Sequence, residues 1–265
     1  MFGIHHHFEL QYSCILNRKD KTKHNRPEYR SIFSVFGTFC TLLAAGLFIS
    51  SCSSSRHLKN EYALSPTDYD GIDVSHYNGT IDWKAVSRNK NIKYVYVKAT
   101  QGSGYLDPCY VSNVEGARRA GLKVGIYHYF TSRSSATAQF QWFRSQAIKT
   151  EQDLIPMVDV EEMKGWRDRL ELQDSLMAFA HLVKKFYGTA PLLYTSQNFY
   201  NANLSPRFGK FWLFIAAYRK TEPSINGAAW NLWQFTDTGR VKGITGFTDL
   251  SKLSKKTKIK KLYLK

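Results

Sequence analysis

Cysteine is scarce in this chain and unevenly placed. Three of its four cysteines, Cys14, Cys40 and Cys52, fall within the first 52 residues, which leaves Cys109 alone in the remainder. No disulfide can therefore close within that remainder, and its stability has to come from a buried core. Zinc-ligand spacing is missing as well: His57, His76, His128 and His181 are scattered, so no metal site and no cofactor are expected. Acidic residues are few, 21 against 37 Lys and Arg, for a formal charge of +16. Much of the excess sits in two places, the first 30 residues and the C-terminal "KLSKKTKIKKLYLK", which holds seven lysines. One uncharged run near the start, Ser31 to Ser51, is rich in Phe, Leu, Ala, Gly and Ile.

That run follows a Lys- and Arg-rich stretch from Asn17 to Arg30. A basic flank before about twenty uncharged residues is an export signal or a membrane span. The flank stays in the cytoplasm, so everything after Ser51 is expected outside. "LFISSC", Leu47 to Cys52, resembles the lipobox of bacterial lipoproteins, which makes Cys52 the expected lipid attachment site, with an uncleaved anchor helix as the alternative. Residues 1–52 are thus read as an export signal or membrane anchor and 53–69, polar and carrying Pro66, as a linker. A globular domain is expected over 70–253 and a lysine-rich tail over 254–265. An exported protein rarely meets nucleic acid, so an anionic wall or lipid surface suits the basic tail better. The plainer expectation is a solvated tail with a last edge strand in "KIKKLYL".

What is present in the domain is a rhythm. The chain is 43% hydrophobic and 15% aromatic, enough for a core. Strand-like runs recur at "GIDVS" (Gly71), "KYVYVKA" (Lys93), "KVGIYHYF" (Lys123), "LIPMVDVE" (Leu154) and "PLLYTS" (Pro191). Helical patterns lie between them: Asp107 to Ala120 stopped by Gly121, Ser135 to Ala147, and Gln173 to Phe186 with Leu176, Phe179, Ala180 and Val183 on one stripe. Strand then helix, five times, predicts parallel strands joined by helices. From Phe211 onward "FWLFIAAY", "WNLWQFTD" and "GFTDLS" follow with turns and little room for helices. The pattern predicts a barrel that begins as βα units and closes with hairpin-like strands.

Acids interrupt these strands. In "PMVDVEEM", Asp159 and Glu161 sit two residues apart at the end of an apolar run. Alternation aims them the same way, with Cα atoms roughly 6.5 to 7 Å apart, and Val160 opposite. Glu162 is out of phase and reads as a helix cap or a solvated side chain. Asp73 in the first strand and Asp249 in the last repeat the anomaly. First and last strands are neighbours in a closed barrel, so the four acids can converge at the strand C-termini, where such barrels carry their sites. Crowded carboxylates cannot all stay ionised, and a protonated acid beside ionised ones is the equipment of glycosidic cleavage. Tyr127, Tyr129, Tyr194, Tyr218 and Trp233 can stack on sugar faces, although any one of them alone is more often core.

Taken together, "GIDVSHYNGTIDW", "YVYVKATQG", "YLDPCYVSNVEGARRAGLKVGIYHYF", "MVDVE", "LLYTS", "LWQFTD" and "GITGFTDL" resemble the glycoside hydrolase family 25 lysozymes from about Gly71 to Leu253. The resemblance implies a flattened TIM-like (β/α)5(β)3 barrel that hydrolyses the β-1,4 bond between N-acetylmuramic acid and N-acetylglucosamine in peptidoglycan. By motif position Glu161 would be the general acid and Asp159 its assisting carboxylate. Asp73 and Asp249 would complete the acidic floor. Lys98, Tyr127, Tyr194, Tyr218, Trp233 and Gln234 are the expected substrate-binding residues. A D-x-E pair on one strand resembles substrate-assisted families, although inversion through an activated water stays open. Phe235 stands where the family commonly has Tyr, and the lysine-rich end replaces the wall-binding repeats many relatives append. Two other readings compete: a non-catalytic peptidoglycan-binding lipoprotein, and a hydrolase of another N-acetylated glycan. In each the protein is a membrane-anchored monomer of the cell envelope.

Overall fold

The computed structural model describes residues 68–265. The expected signal or anchor over 1–52, its Cys52, and all but the last two residues of the linker lie outside the described residues. Nine strands form one sheet: β1 (Gly71–Val74), β2 (Tyr94–Gln101), β3 (Tyr105–Leu106), β4 (Val124–Tyr129), β5 (Met157–Asp159), β6 (Leu192–Ser196), β7 (Leu213–Ala216), β8 (Leu232–Gly239) and β9 (Thr248–Leu253). Their order is β1-β9-β8-β7-β6-β5-β4-β2-β3, and pairing of β1 with β2 closes eight of them into a barrel. β3 is a short antiparallel flap on the end of β2.

Five helical connections follow the first five barrel strands: α1 (Trp83–Val86), α2 (Tyr110–Arg119), α3 (Ala136–Gln146), α4 (Arg169–Tyr187) and α5 (Gln197–Phe199), the last running on into a π-helical turn Tyr200–Leu204. The expected (β/α)5(β)3 plan is present. Local chemistry sets the helix ends. Ser135 accepts the Ala138 N–H at 3.2 Å to start α3, and Asp168 accepts the Glu171 N–H at 2.9 Å to start α4. Gly188, left-handed at φ 80°, ends α4. That helix buries Leu172, Leu176, Phe179, Ala180, Val183 and Tyr187, the expected stripe plus one turn at each end.

The closing strands differ from expectation in one respect. β7 pairs parallel with β6, and β8 parallel with β7, so only β9 turns back, antiparallel to both β8 and β1. A long loop returns the chain from β7 to β8 where a helix did the same work earlier. The tail also departs from the predicted edge strand. Ile259–Leu262 is a 3₁₀ turn, Leu262 is fully buried, and the backbone is tied to the β5 side by Ile155 N–H to Leu262 O at 2.8 Å and Leu264 N–H to Asp153 O at 2.9 Å. Three lysines and one β-branched residue in that stretch give no alternating face for a strand to bury.

Two apolar layers result. Outward-facing strand residues such as Ile72, Val95, Val97, Ile126, Val158 and Val160 pack under the helices. Inward-facing Tyr94, Tyr96, Met157, Leu192, Phe214 and Leu232 fill the lower barrel, with Leu262 among them. Room for the two tyrosine rings comes from glycine on the neighbouring strand. A Cβ at Gly71 would lie 2.1 Å from the Tyr94 ring, and one at Gly125 would lie 2.3 Å from the Tyr96 ring. Their hydroxyls are satisfied by Ser251 Oγ at 2.8 Å and Ile155 O at 3.1 Å. Cys109, buried ahead of α2, is the only cysteine among the described residues.

Candidate active site

The upper barrel is polar where the lower barrel is apolar. Asp73 on β1 sits directly across from Asp249 on β9, and Asp159 ends β5 between Tyr129 of β4 and Tyr194 of β6. Alternation on β5 puts Met157, Asp159 and Glu161 on the lumen side, and Val158 and Val160 in the outer layer. All four acids line one cavity of about 370 Å³ together with Tyr127, Tyr194, Tyr218 and Gln234. Glu161 and Tyr218 also line a second hollow, of about 350 Å³, and Tyr77 a third, of about 440 Å³, so the three form an extended groove across the strand C-termini.

One wall of the cavity is organised by Gln234. Its Oε1 accepts from Tyr194 Oη at 2.7 Å and Tyr218 Oη at 2.8 Å, and its Nε2 donates to Asp73 Oδ1 and Oδ2 at 3.1 and 3.0 Å. These bonds fix the amide's orientation and leave Asp73 an acceptor. Burial lifts the Asp73 pKa to about 6, against the pull of its bonds to Gln234 and Asp249. Asp249 is lifted further, to about 9, by burial first and then by the Asp73 charge beside it. The two therefore share a proton that resides on Asp249 at neutral pH, an acid hydrogen-bonded to a carboxylate.

The opposite wall carries Asp159 and Glu161. Asp159 is buried, and its Oδ1 has no hydrogen-bond partner. Burial and then the Glu161 charge push its pKa well up, opposed by Lys98. Glu161 stands exposed at the rim, yet burial of its carboxyl and then the charges of Asp73 and Glu162 raise its pKa, opposed by Lys98. A partnerless carboxyl oxygen facing a cavity is a costly feature for packing alone.

Lys98 lies behind this pair, buried, in the third hollow rather than among the acids. Its Nζ donates to Gln101 Oε1 at 3.0 Å and sits 5.0 Å from the Tyr129 ring centre. Glu162 lines the same hollow and is exposed, and the helix cap expected of it is supplied by Asp168. Trp233 is misplaced in the sequence reading. Leu232 and Gln234 face inward on β8, so Trp233 faces out, 2% exposed, with its N–H donated to Ala217 O at 2.8 Å and its ring against Trp230 and Phe235. It packs the outer layer and lines none of the three hollows.

Sequence reasoning missed Tyr77, Asn78, Asp237 and Phe247, which line the acidic cavity. Tyr77 and Asn78 belong to a 3₁₀ turn (His76–Asn78) capped by Ser75 immediately after β1, and Asn78 Nδ2 donates to Phe247 O at 3.3 Å. The signal was the capping motif "SHYN" directly behind an acid-bearing strand. Asp107 anchors the same turn, taking the His76 backbone N–H at 3.1 Å and its Nδ1 at 2.6 Å. Among the described residues no group of three or more His, Cys, Asp or Glu is disposed to hold a metal ion.

Carboxyls of raised pKa facing an open groove with tyrosine walls suit acid-catalysed cleavage of glycosidic bonds. Residues 72–244 match the family described as glycosyl hydrolases family 25. The chain belongs to that family, and it is a glycoside hydrolase. It is 34% identical over 185 residues to the autolytic lysozyme of Clostridium acetobutylicum, covering 69% of this chain and 55% of that one. It is 33% identical over 202 residues to the uncharacterized protein YegX of Escherichia coli strain K12, covering 74% of each. The crystal structure of the bacterial lysozyme from Streptomyces coelicolor superposes with a TM-score of 0.65 at 26% identity, covering 72% of this chain and 94% of that one.

Proposed function

We propose that the chain is a peptidoglycan hydrolase that cuts the β-1,4 bond between N-acetylmuramic acid and N-acetylglucosamine. The observation that carries the assignment of roles is the buried Asp159 Oδ1 without a partner, two residues along the same face from a rim-exposed Glu161. Glu161, reachable by a bridging oxygen and with a raised pKa, donates the proton that lets the leaving sugar depart. Asp159, deeper in the cavity, accepts the N–H of the 2-acetamido group, so that group's carbonyl oxygen attacks C1 from the opposite face and forms an oxazolinium ion. Glu161, now a carboxylate, takes a proton from water as the water opens that ring at C1. Both acids return to their starting state, and the anomeric configuration is retained.

Asp73, Gln234, Tyr194 and Tyr218 form a hydrogen-bonded wall that fixes the sugar opposite the reacting pair. Tyr127 lines the same cavity, and Lys98 holds Asp159 towards ionisation. Glu161→Gln should lower release of reducing ends from purified peptidoglycan by about 10²–10⁴-fold without changing the melting temperature. Normal turnover in that variant would overturn the assignment. Proton NMR of the first product should show the β-anomer; an α-anomer would replace substrate assistance with inversion.

Export and anchoring belong to the same reading, because the substrate lies outside the cytoplasm. Lipid at Cys52 predicts a mature N-terminus starting there with acyl mass added, whereas Cys52→Ser should leave an unacylated chain that keeps the preceding residues. Intact-mass measurement of the extracted protein checks it.

A further inference from the structure

The barrel's other end carries a second cavity, about 670 Å³, that the catalytic reading leaves unused. Trp212 immediately precedes β7, Trp230 and Asn231 precede β8, and Ser254 to Lys256 follow β9, which runs the opposite way. All of them therefore lie at the end of the barrel away from the acids. Two half-buried indoles and three lysines, Lys255, Lys256 and Lys261, line the cavity, with Glu222 as its one acid.

The tail that supplies these lysines is fixed. Leu262 plugs the barrel floor, Asn231 Nδ2 donates to Thr257 Oγ1 at 3.3 Å, and Ser254 N–H donates to Asn231 O at 2.8 Å. A run of seven lysines without an acid would ordinarily spread in solvent. Here Lys255, Lys256 and Lys261 are exposed at set positions around the cavity, and among the described residues none of them is in an ion pair.

We propose that this cavity is an ancillary binding site for a carboxylate-bearing glycan strand, separate from the catalytic groove. Indoles recessed in a cavity suit sugar rings and would be wasted on a flat lipid surface, while the lysines suit the carboxylates of peptide-substituted muramic acid. The proposal rests on the peptidoglycan reading above for the identity of the polymer. Such a site gives the barrel a way to stay on its insoluble substrate between cuts.

The test uses the full chain carrying Glu161→Gln, so that nothing is consumed, and measures co-sedimentation with insoluble peptidoglycan. Adding Lys255→Gln, Lys256→Gln and Lys261→Gln should raise the dissociation constant about tenfold in low salt, with the difference shrinking in high salt. In the chain with Glu161 intact, the same three changes should slow turnover of insoluble peptidoglycan and leave turnover of a soluble tetrasaccharide muropeptide unchanged. Equal sedimentation with and without the three lysines would overturn the proposal. So would a lysine-dependent loss seen only with phosphatidylglycerol-containing vesicles, which would assign the face to the membrane. Were the wild-type chain to cut no peptidoglycan while lysine-dependent sedimentation persisted, the catalytic reading would fail and the binding site would stand.

Discussion

Asp249 holds its proton to about pH 9 because the folded protein buries it against Asp73. A carboxyl whose pKa is raised on folding costs nothing below its unfolded value near 4 and destabilises progressively as pH rises towards the folded value. The pair therefore withdraws stability between about pH 4 and pH 9, with the Asp73 share drawn mainly below its own value of about 6. Asparagine at 249 would keep a donor for Asp73 and remove the titration. Asp249→Asn should raise the melting temperature by a few degrees at pH 8 and leave it nearly unchanged at pH 4. Thermal denaturation at the two pH values decides; a gain equal at both would mean the two acids do not share a proton. Activity should fall in the same variant, since the wall opposite Glu161 loses its acid.

At the scale of the strand, the period-two rule separates what was legible from what was not. On β5 it placed Asp159 and Glu161 on the lumen side and Val160 outside, as the structure has them. Applied to β8 it would have excluded Trp233, since Gln234 beside it had to face in. Trp233 reads as a sugar-stacking aromatic, and as a binding residue by resemblance, only while the alternation is not applied to it. Trp233→Phe should therefore cost about 1–2 kcal/mol of stability through the lost indole contacts and the bond to Ala217 O, with KM unchanged. Urea unfolding beside steady-state kinetics checks both halves, and a raised KM at unchanged stability would return Trp233 to the site. The parallel return of β8 was not legible, because the β7–β8 loop carries no helical pattern and a loop of that length permits either direction.

At the scale of the whole molecule the barrel has two polar ends separated by an apolar plug. Tyr94 and Tyr96 cross the lumen over Gly71 and Gly125, and Leu262 closes it from below. The acidic end therefore rests on an apolar floor, and burial is the first cause of the raised pKa of all four carboxyls. Composition and motif order carried the barrel, its closure and the four acids. They did not carry the tail's docking, since a lysine run with one Leu every few residues shows its buried position only against a partner. The net charge is likewise divided in space, with acids gathered at the mouth and Lys255, Lys256 and Lys261 at the base.

The central claim is that the groove cuts on the reducing side of muramic acid. Purified peptidoglycan digested with the wild-type chain, reduced with borohydride and analysed by mass spectrometry, reads this directly. The account predicts that N-acetylmuramic acid occupies every new reduced end; N-acetylglucosamine at those ends, or no new ends at all, would contradict it.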